Sequence, residues 1–432
     1  MASVQELLDR SAFSAFQKSV FAMCFLIVLS AGSATAAIGY VAPALGTEWG
    51  VARPHLAPVL SAALFGLAAG ALGAGPLAAP LRSQRGLLAS GFGSPPRSPA
   101  PAQAGGPGAL MIWRFVTGVG LGAAMPNAVT LISEYSPARS RAFITNAMFC
   151  GFPLGAALGG FLAAWLIPAF GWRSVFVAGG VAPLVLATFL VFFLPDSIRH
   201  MVARGVDPTR IRAVMARIAP EAAGIDSLAS PEPAAAQGEG ARVVLSPGLR
   251  LGTFMLWIAY FMGLVIFYAM INWLPLLLKE AQIAPTTATL IASLFALGGF
   301  GALVSGWLMD RYDADGIVAI FYALTALSVA AIGLFLGSPA ALVGVVFLAG
   351  VAMNTAQTSL PSLAAAYYPT RGRGTGVAWM LGVGRFGGIA GSFLVGWLTQ
   401  MQLSLPAIFA VVSLAGLIAA AALAVKRLAR PA

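Results

Sequence analysis

Two arginines stand inside otherwise apolar stretches of this chain, Arg114 in "LMIWRFVTGVG" and Arg385 in "LGVGRFGGIAG". A guanidinium at the centre of a lipid bilayer costs ~2.5–3.5 kcal/mol, so such a residue is retained only with a partner or a task. No acid accompanies either one: every carboxylate lies outside the centres of the apolar runs, with Glu134, Asp196, Glu280 and Asp310 at their ends. A guanidinium fork matches a carboxylate bidentately, so one or both arginines could await an anion. The competing reading is that each reaches for backbone carbonyls or snorkels to the interface. Amides at Asn127, Asn272, Asn354 and Gln357 could hydrogen-bond a small polar ligand, or tie helices together. Trp273 and Tyr268, with Tyr260 and Phe267, could stack on a ring or simply fill space. No apolar run carries a Ser/His, Asp/Asp or His/Glu set, and His55 and His200 fall between runs, which argues against an enzyme, a metal site or a cofactor.

The elements holding these residues are long apolar helices. Of 432 residues 59% are hydrophobic and 9% charged, with a mean hydropathy of +0.88. A soluble domain carries roughly 25% charged residues, so the composition predicts an all-α integral membrane protein. Runs of about 20 apolar residues span a bilayer. They fall at approximately 19–43, 56–79, 110–133, 145–167, 173–194, 250–277, 287–309, 316–336, 340–363, 375–398 and 403–425. Cys24 and Cys150 lie in such runs and read as small hydrophobes. The formal net charge of +11 sits between spans rather than in a nucleic-acid-binding patch. Arg139, Arg141, Arg199, Arg204, Arg210, Arg212, Arg217, Arg371, Arg373, Lys426 and Arg427 should be cytoplasmic, with both termini, by the positive-inside rule. The opening "MASVQELLDRSAFSAFQKSVF" is polar and runs into a full-length span, so no cleavable signal is expected.

The chain divides into an N-terminal helical half (1–195), a hydrophilic cytoplasmic linker (196–249) and a C-terminal half (250–432). The linker is expected to contain a basic surface helix followed by a flexible tether, "SLASPEPAAAQGEGARVV". "YSPARSR" at Tyr135–Arg141 recurs as "YYPTRGR" at Tyr367–Arg373, and the same offset of 232 residues carries Gly155 and Gly159 onto Gly387 and Gly391. Parallel repeats of this kind build transporters whose substrate lies between the halves. Gly118, Gly120, Gly122, Gly151, Gly155, Gly159 and Gly160 read as close helix packing, not as a phosphate loop.

The repeat exposes an anomaly. "LFALGGFGALVSGWLMDRYDADG" (294–316) carries Asp310 and Arg311 near its end, whereas its counterpart "LFGLAAGALGAGPLAAPLRSQRG" (64–86) has Ala79 and Pro80 there. Pro95, Pro96, Pro99, Pro101, Pro107 and Arg97 then make residues 81–109 a poor helix in lipid, since each interior proline costs ~3 kcal/mol. Without a crossing there, Arg82, Arg85 and Arg97 would lie across the membrane from Arg139 and Arg141, against the charge rule. The length is ordinary and the content is that of a GC-rich gene read out of frame, which suggests compensating frameshifts. A degenerate paralogue and a re-entrant loop are the alternatives.

The segments "AAIGYVAPALGTEWGV" (36–51), "RFVTGVGLGAAMPNAVTLISEYSPARSRA" (114–142), "MFCGFPLGAALGGFLAAWLIPAFGWRSVF" (148–176), "LWIAYFMGLVIFYAMINWLPLLL" (256–278) and "AAAYYPTRGRGTGVAWMLGVGRFGGIAGS" (364–392) resemble the major facilitator superfamily, and within it the aromatic acid/proton symporters. The resemblance implies twelve helices in two six-helix halves, a monomer in the bacterial inner membrane, and uptake of benzoate-like carboxylates with protons. It assigns Asp310 and Arg311 to a cytoplasmic gate loop. Two departures stand out. The family's Asp-Gly-x-Asp motif in the first helix reads "SAGSAT" (30–35), with Ala31 and Ala34 in place of the aspartates. The Gly-x-x-x-Asp-Arg-x-Gly-Arg-Arg loop after helix two survives only as "GPLAAPLRSQRG", and helix three is lost. Neutral alanines cannot carry a proton, which leaves three readings: a carrier coupled by another route, an uncoupled facilitator, and a binding-only, sensor-like remnant.

Overall fold

The computed structural model describes residues 8–9, 11, 13–81, 100–193, 201, 208–218, 239–301, 308–309 and 311–428, and within these the side chains of 71–81 and of scattered others, Asn127 among them, lie outside the description. The regular structure among the described residues is helical. The first half contains α1 (Ala15–Trp49), α2 (Ala57–Leu81), α3 (Pro107–Glu134), α4 (Arg141–Phe149), α5 (Gly151–Phe170) and α6 (Arg173–Phe193). Between the halves lie α7 (Pro208–Ala216) and α8 (Glu239–Val244). The second half contains α9 (Arg250–Glu280), α10 (Pro285–Leu297), α11 (Ala314–Leu334), α12 (Pro339–Tyr367), α13 (Thr370–Gln400) and α14 (Leu405–Leu428). Each of the eleven apolar runs overlaps one or two of these helices, and among the described residues eight helical segments are long and apolar enough to cross a membrane by length and composition.

Helix α1 begins after a capping box, in which the Ser14 hydroxyl accepts from the Gln17 N–H while the Gln17 side chain accepts from the Ser14 N–H. It ends at Gly50, whose φ of 61° is left-handed and suits a residue without a Cβ. The face of the molecule where α1 begins is called the near face below, and the face where it ends the far face. Close approach through glycine sets which helices run side by side. A Cβ on Gly155 would collide with the Leu29 carbonyl oxygen, and one on Gly159 would meet Ser33, so α1 and α5 lie backbone to backbone. In the second half Gly387 meets the Phe261 carbonyl and Gly391 that of Val265, joining α9 to α13. Leu29 to Phe261 and Ser33 to Val265 are the same 232-residue offset as the glycines, so the repeat read from the sequence is a repeat of contacts as well.

The packing of α2 on α3 fixes which faces the residues on either side of 82–99 occupy. Gly118 packs on Ala63 and Gly122 on Leu67, so the two helices run parallel. Leu81 and Glu134 therefore share the near face, where the Gln17 side chain donates to the Tyr135 carbonyl at 2.7 Å. Ala100, in the short 3-10 turn Ala100–Gln103, sits at the far end beside the start of α3. Leu81 and Ala100 thus lie at opposite faces. Arg82, Arg85 and Arg97, on which the expected charge conflict rests, lie with the rest of residues 82–99 outside the described residues.

The expected linker is only partly a loop. Helix α7 docks Ile211 and Met215 into the apolar cluster around Phe16, and just beyond its end the Arg217 guanidinium lies 4.1 Å from the Phe16 ring. At the other end of the tether, α8 packs Val243 and Val244 against Gly372, and the Thr253 hydroxyl donates to the Val244 carbonyl at 2.9 Å. The valines that end "SLASPEPAAAQGEGARVV" have apolar surface to bury, and they bury it on the second half.

Candidate functional site

The two arginines that look alike in sequence have different surroundings. Arg114, on α3, is 2% exposed and donates to two carbonyls of α1, Ala34 at 2.7 Å and Thr35 at 3.0 Å. Its guanidinium carbon also lies 5.9 Å from the Phe176 ring on α6. Arg114 is thus a clasp between α1 and α3 in this conformation, and it reaches the backbone at the position where the resemblance expects an aspartate. Its Nε remains buried without a partner.

Arg385, on α13, is half-buried and has no carboxylate partner among the described residues. It lies within electrostatic range of the Tyr260 and Tyr268 side chains of α9. Glycines make this approach possible, since Gly384 admits the Tyr260 ring and Gly388 the Tyr268 ring at distances no Cβ would tolerate. Behind them the Tyr322 hydroxyl donates to Gln357 Oε1 at 2.7 Å, and Gln357 Nε2 donates to the Tyr260 carbonyl at 3.4 Å. Arg385, Tyr260, Tyr268, Tyr322 and Gln357 therefore form one polar cluster inside the second half, cationic and rich in hydroxyls.

Aromatic rings carry this cluster to the seam between the halves. Phe267 stands edge-on to Tyr268 with centroids 5.3 Å apart, and faces Phe295 at 6.3 Å and Phe152 of the first half at 6.1 Å. One turn beyond Tyr268, Asn272 donates from Nδ2 to the Ser392 hydroxyl at 2.8 Å, while its Oδ1 is buried without a partner. Its backbone packs on Gly39 of α1, again at the seam.

The remaining expected residues are placed elsewhere. Trp273 is fully buried against Gly396, and its indole N–H donates to the Ser392 carbonyl at 2.9 Å. Asn354 donates to the Phe295 carbonyl at 3.0 Å and to the Gly350 carbonyl at 2.8 Å, joining α12 to the end of α10. Arg311 is exposed at the near face; Asp310 and the Asn127 side chain lie outside the described residues.

Sequence reasoning missed three further polar sites. Lys279 on α9 donates to the Pro43 carbonyl at 2.9 Å and the Thr47 hydroxyl at 2.6 Å on α1. Glu48 accepts from the Trp172 indole at 2.5 Å and pairs with Arg173 at 2.8 Å. Asp315 and Lys426 form an ion pair of 2.6 Å with both side chains fully buried, and Lys426 also lies 4.6 Å from the Tyr367 ring. The signal for this last pair was present as an acid and a base at helix ends, but nothing along the chain joins α11 to α14.

Comparison with known proteins agrees with this architecture. The Major Facilitator Superfamily model matches residues 23–334 and 256–432. The chain is 46% identical over 396 residues to the 4-hydroxybenzoate transporter PcaK of Pseudomonas putida, covering 90% of this chain and 88% of that one. It is 43% identical over 422 residues to a gallate transporter of Pseudomonas putida, covering 97% and 94% respectively. Its fold is similar to the xylose transporter XylE from E. coli in a partially occluded inward open conformation, with a TM-score of 0.71, 14% identity, and coverage of 94% of this chain and 97% of that one.

Proposed function

Because the chain belongs to the Major Facilitator Superfamily, and so is a multi-pass membrane transporter rather than an enzyme, we propose that it moves small aromatic carboxylates of the hydroxybenzoate class across the bacterial inner membrane by alternating access. The observation that carries this reading is Arg385, a half-buried cation in a membrane helix with no carboxylate beside it among the described residues and two tyrosines within electrostatic range. An aromatic acid would supply the absent negative charge to the guanidinium, and its ring would meet Tyr268 and Phe267. Relatives named for transport of 4-hydroxybenzoate and gallate support the substrate class.

Arg139 just after α3, Arg217 beside Phe16 at the start of α1, and Lys426 and Arg427 at the end of α14 all lie at the near face, so the positive-inside rule assigns that face to the cytoplasm, with the start of α1 and the end of α14 on it. Substrate then reaches the cluster from the near face when the far-face contacts are closed, and from the far face when they part. By resemblance, Asp310 and Arg311 belong to the cytoplasmic gate loop. Ala31 and Ala34 remove the first-helix carboxylates of the symporter family, so transport is expected to equilibrate the acid rather than accumulate it.

Uptake of radiolabelled 4-hydroxybenzoate into proteoliposomes tests both statements. Equilibration that a protonophore leaves unchanged is the expected result, and accumulation abolished by the protonophore would restore proton coupling by another group. Binding without flux would favour the sensor-like reading. Arg385→Ala should abolish binding, and unchanged affinity in that variant would end the carboxylate assignment.

A further inference from the structure

We infer that Asn272, held by Ser392, is the receptor for a hydroxyl on the substrate ring and gives the transporter its preference for hydroxylated over unsubstituted benzoates. The inference rests on the assignment of Arg385 to the carboxylate. Asn272 is 1% exposed, and only one end of its amide is satisfied, by the Ser392 hydroxyl at 2.8 Å. Turning the amide over would exchange which end is bonded and leave the other without a partner, so the unmet hydrogen-bonding capacity belongs to the site whichever way it points. A buried polar group left in that state is costly, and a ligand that satisfies it gains affinity.

The geometry aligns this group with Arg385. Ser392 follows Arg385 by two helical turns on α13, which places both on one face about 10 Å apart along the axis. Tyr268 and Asn272 are likewise one turn apart on the facing side of α9, and Gly388 meets Tyr268 as Ser392 meets Asn272. A benzene ring bearing a carboxylate and a para hydroxyl, with a hydrogen bond of about 2.8 Å at each end, bridges a separation of this order.

The pseudo-symmetry of the halves supports a special use of this place. The 232-residue offset carries Tyr40 onto Asn272 and Gly160 onto Ser392. In the first half the Tyr40 ring lies over Gly160 and its hydroxyl donates to the Ala156 carbonyl at 3.0 Å, so the position is filled and satisfied. In the second half a shorter side chain stands there with an unmet polar end. The two halves depart from each other where an asymmetric ligand needs them to.

The test is calorimetric titration of the full chain in detergent micelles with 4-hydroxybenzoate and with benzoate. The wild type should bind 4-hydroxybenzoate about tenfold more tightly, as one hydrogen bond to a buried group allows. Asn272→Leu should lose that factor for 4-hydroxybenzoate while leaving benzoate within about twofold. Ser392→Ala, a smaller change that keeps the amide, should narrow the gap and carries the test if the first variant does not fold. Equal weakening of both ligands, or a preference that survives both variants, overturns the assignment. Failure of the wild type to bind either acid would overturn the Arg385 reading and this one with it; retained benzoate affinity beside a lost hydroxyl preference separates the two.

Discussion

The Lys279 ammonium donates to the Thr47 hydroxyl across 2.6 Å, and so one side chain near the end of α9 fastens the second half to α1 of the first. Its second bond goes to the Pro43 carbonyl at 2.9 Å, and the Thr47 hydroxyl donates to that same carbonyl at 2.9 Å. A hydroxyl can donate and accept at once, so three groups close a ring of hydrogen bonds that neither helix could make alone. The contact lies toward the far face, where Gly39 packs on Ile271 and Gly396 on Ala57.

Removing the donors of Lys279 should therefore favour opening at the far face. A single cysteine at Gly46, in a background without Cys24 and Cys150, reports this through its reactivity with a membrane-impermeant maleimide. A Cβ at Gly46 has nothing nearer than 3.8 Å, so Gly46→Cys is tolerated in this conformation and leaves the Thr47 hydroxyl in place. Lys279→Ala and Lys279→Met, the second of which keeps an apolar stem, should both raise labelling several-fold. A rise in the alanine variant alone would assign the closure to the stem, and no rise in either would assign it to glycine packing.

The two membrane arginines should separate in their effects. Arg114→Leu removes two charge-assisted hydrogen bonds between α3 and α1, each worth roughly 1.5–3 kcal/mol. Its thermal midpoint in detergent should fall by several degrees. Arg385→Ala should leave the midpoint near wild type and abolish aromatic acid binding. Equal loss of stability in both variants would place Arg385 in the scaffold as well.

The buried pair of Asp315 and Lys426 predicts a strong asymmetry between single and double substitution. Asp315→Asn removes the charge that the buried Lys426 ammonium meets at 2.6 Å, which costs about 3–5 kcal/mol. Asp315→Leu combined with Lys426→Met replaces the pair with apolar groups and should recover most of that loss. Thermal unfolding of the wild type and the two variants checks this, and a double variant no better than Asp315→Asn would show that the pair does more than balance its own charge.

The stretch from Pro80 onward predicts a specific result at the DNA level. Back-translated with the frame shifted by two bases, Pro80–Gln84 (Pro-Leu-Arg-Ser-Gln) is compatible with Asp-Arg-x-Gly-Arg, the start of the loop that the resemblance expects after helix two. An Asp-Arg start is also what the second half carries at Asp310 and Arg311. Resequencing across the codons for Gly75 to Arg114 should therefore uncover a frame with this basic loop followed by about 20 apolar residues, the length of one crossing. Absence of such a frame would make the interruption a property of the protein.

The helices and the repeat were legible in the sequence because hydrophobic run length and glycine spacing are local properties of the chain. The 232-residue offset could be read from letters alone, and the contacts of Gly155 and Gly387 then followed it. The candidate site was legible only as a set of residue types. Arg114 and Arg385 carry the same warning, a cation in an apolar run, and nothing along the chain says that one meets the carbonyls of Ala34 and Thr35 while the other lies within electrostatic range of two tyrosines. Nor does it say that Asn354 spans two helices while Asn272 keeps one end unsatisfied.

By itself the sequence determined the solvent this protein lives in, the number of its apolar runs and the chemistry available to it, since these depend on composition and on periodicity within each segment. Tertiary structure alone decided that α2 and α3 run parallel, which helices lie backbone to backbone, and which polar groups are left without partners. Those outcomes depend on how helices far apart in the chain pack, and the free energy of burying a charge or an amide is set by the neighbours that packing brings.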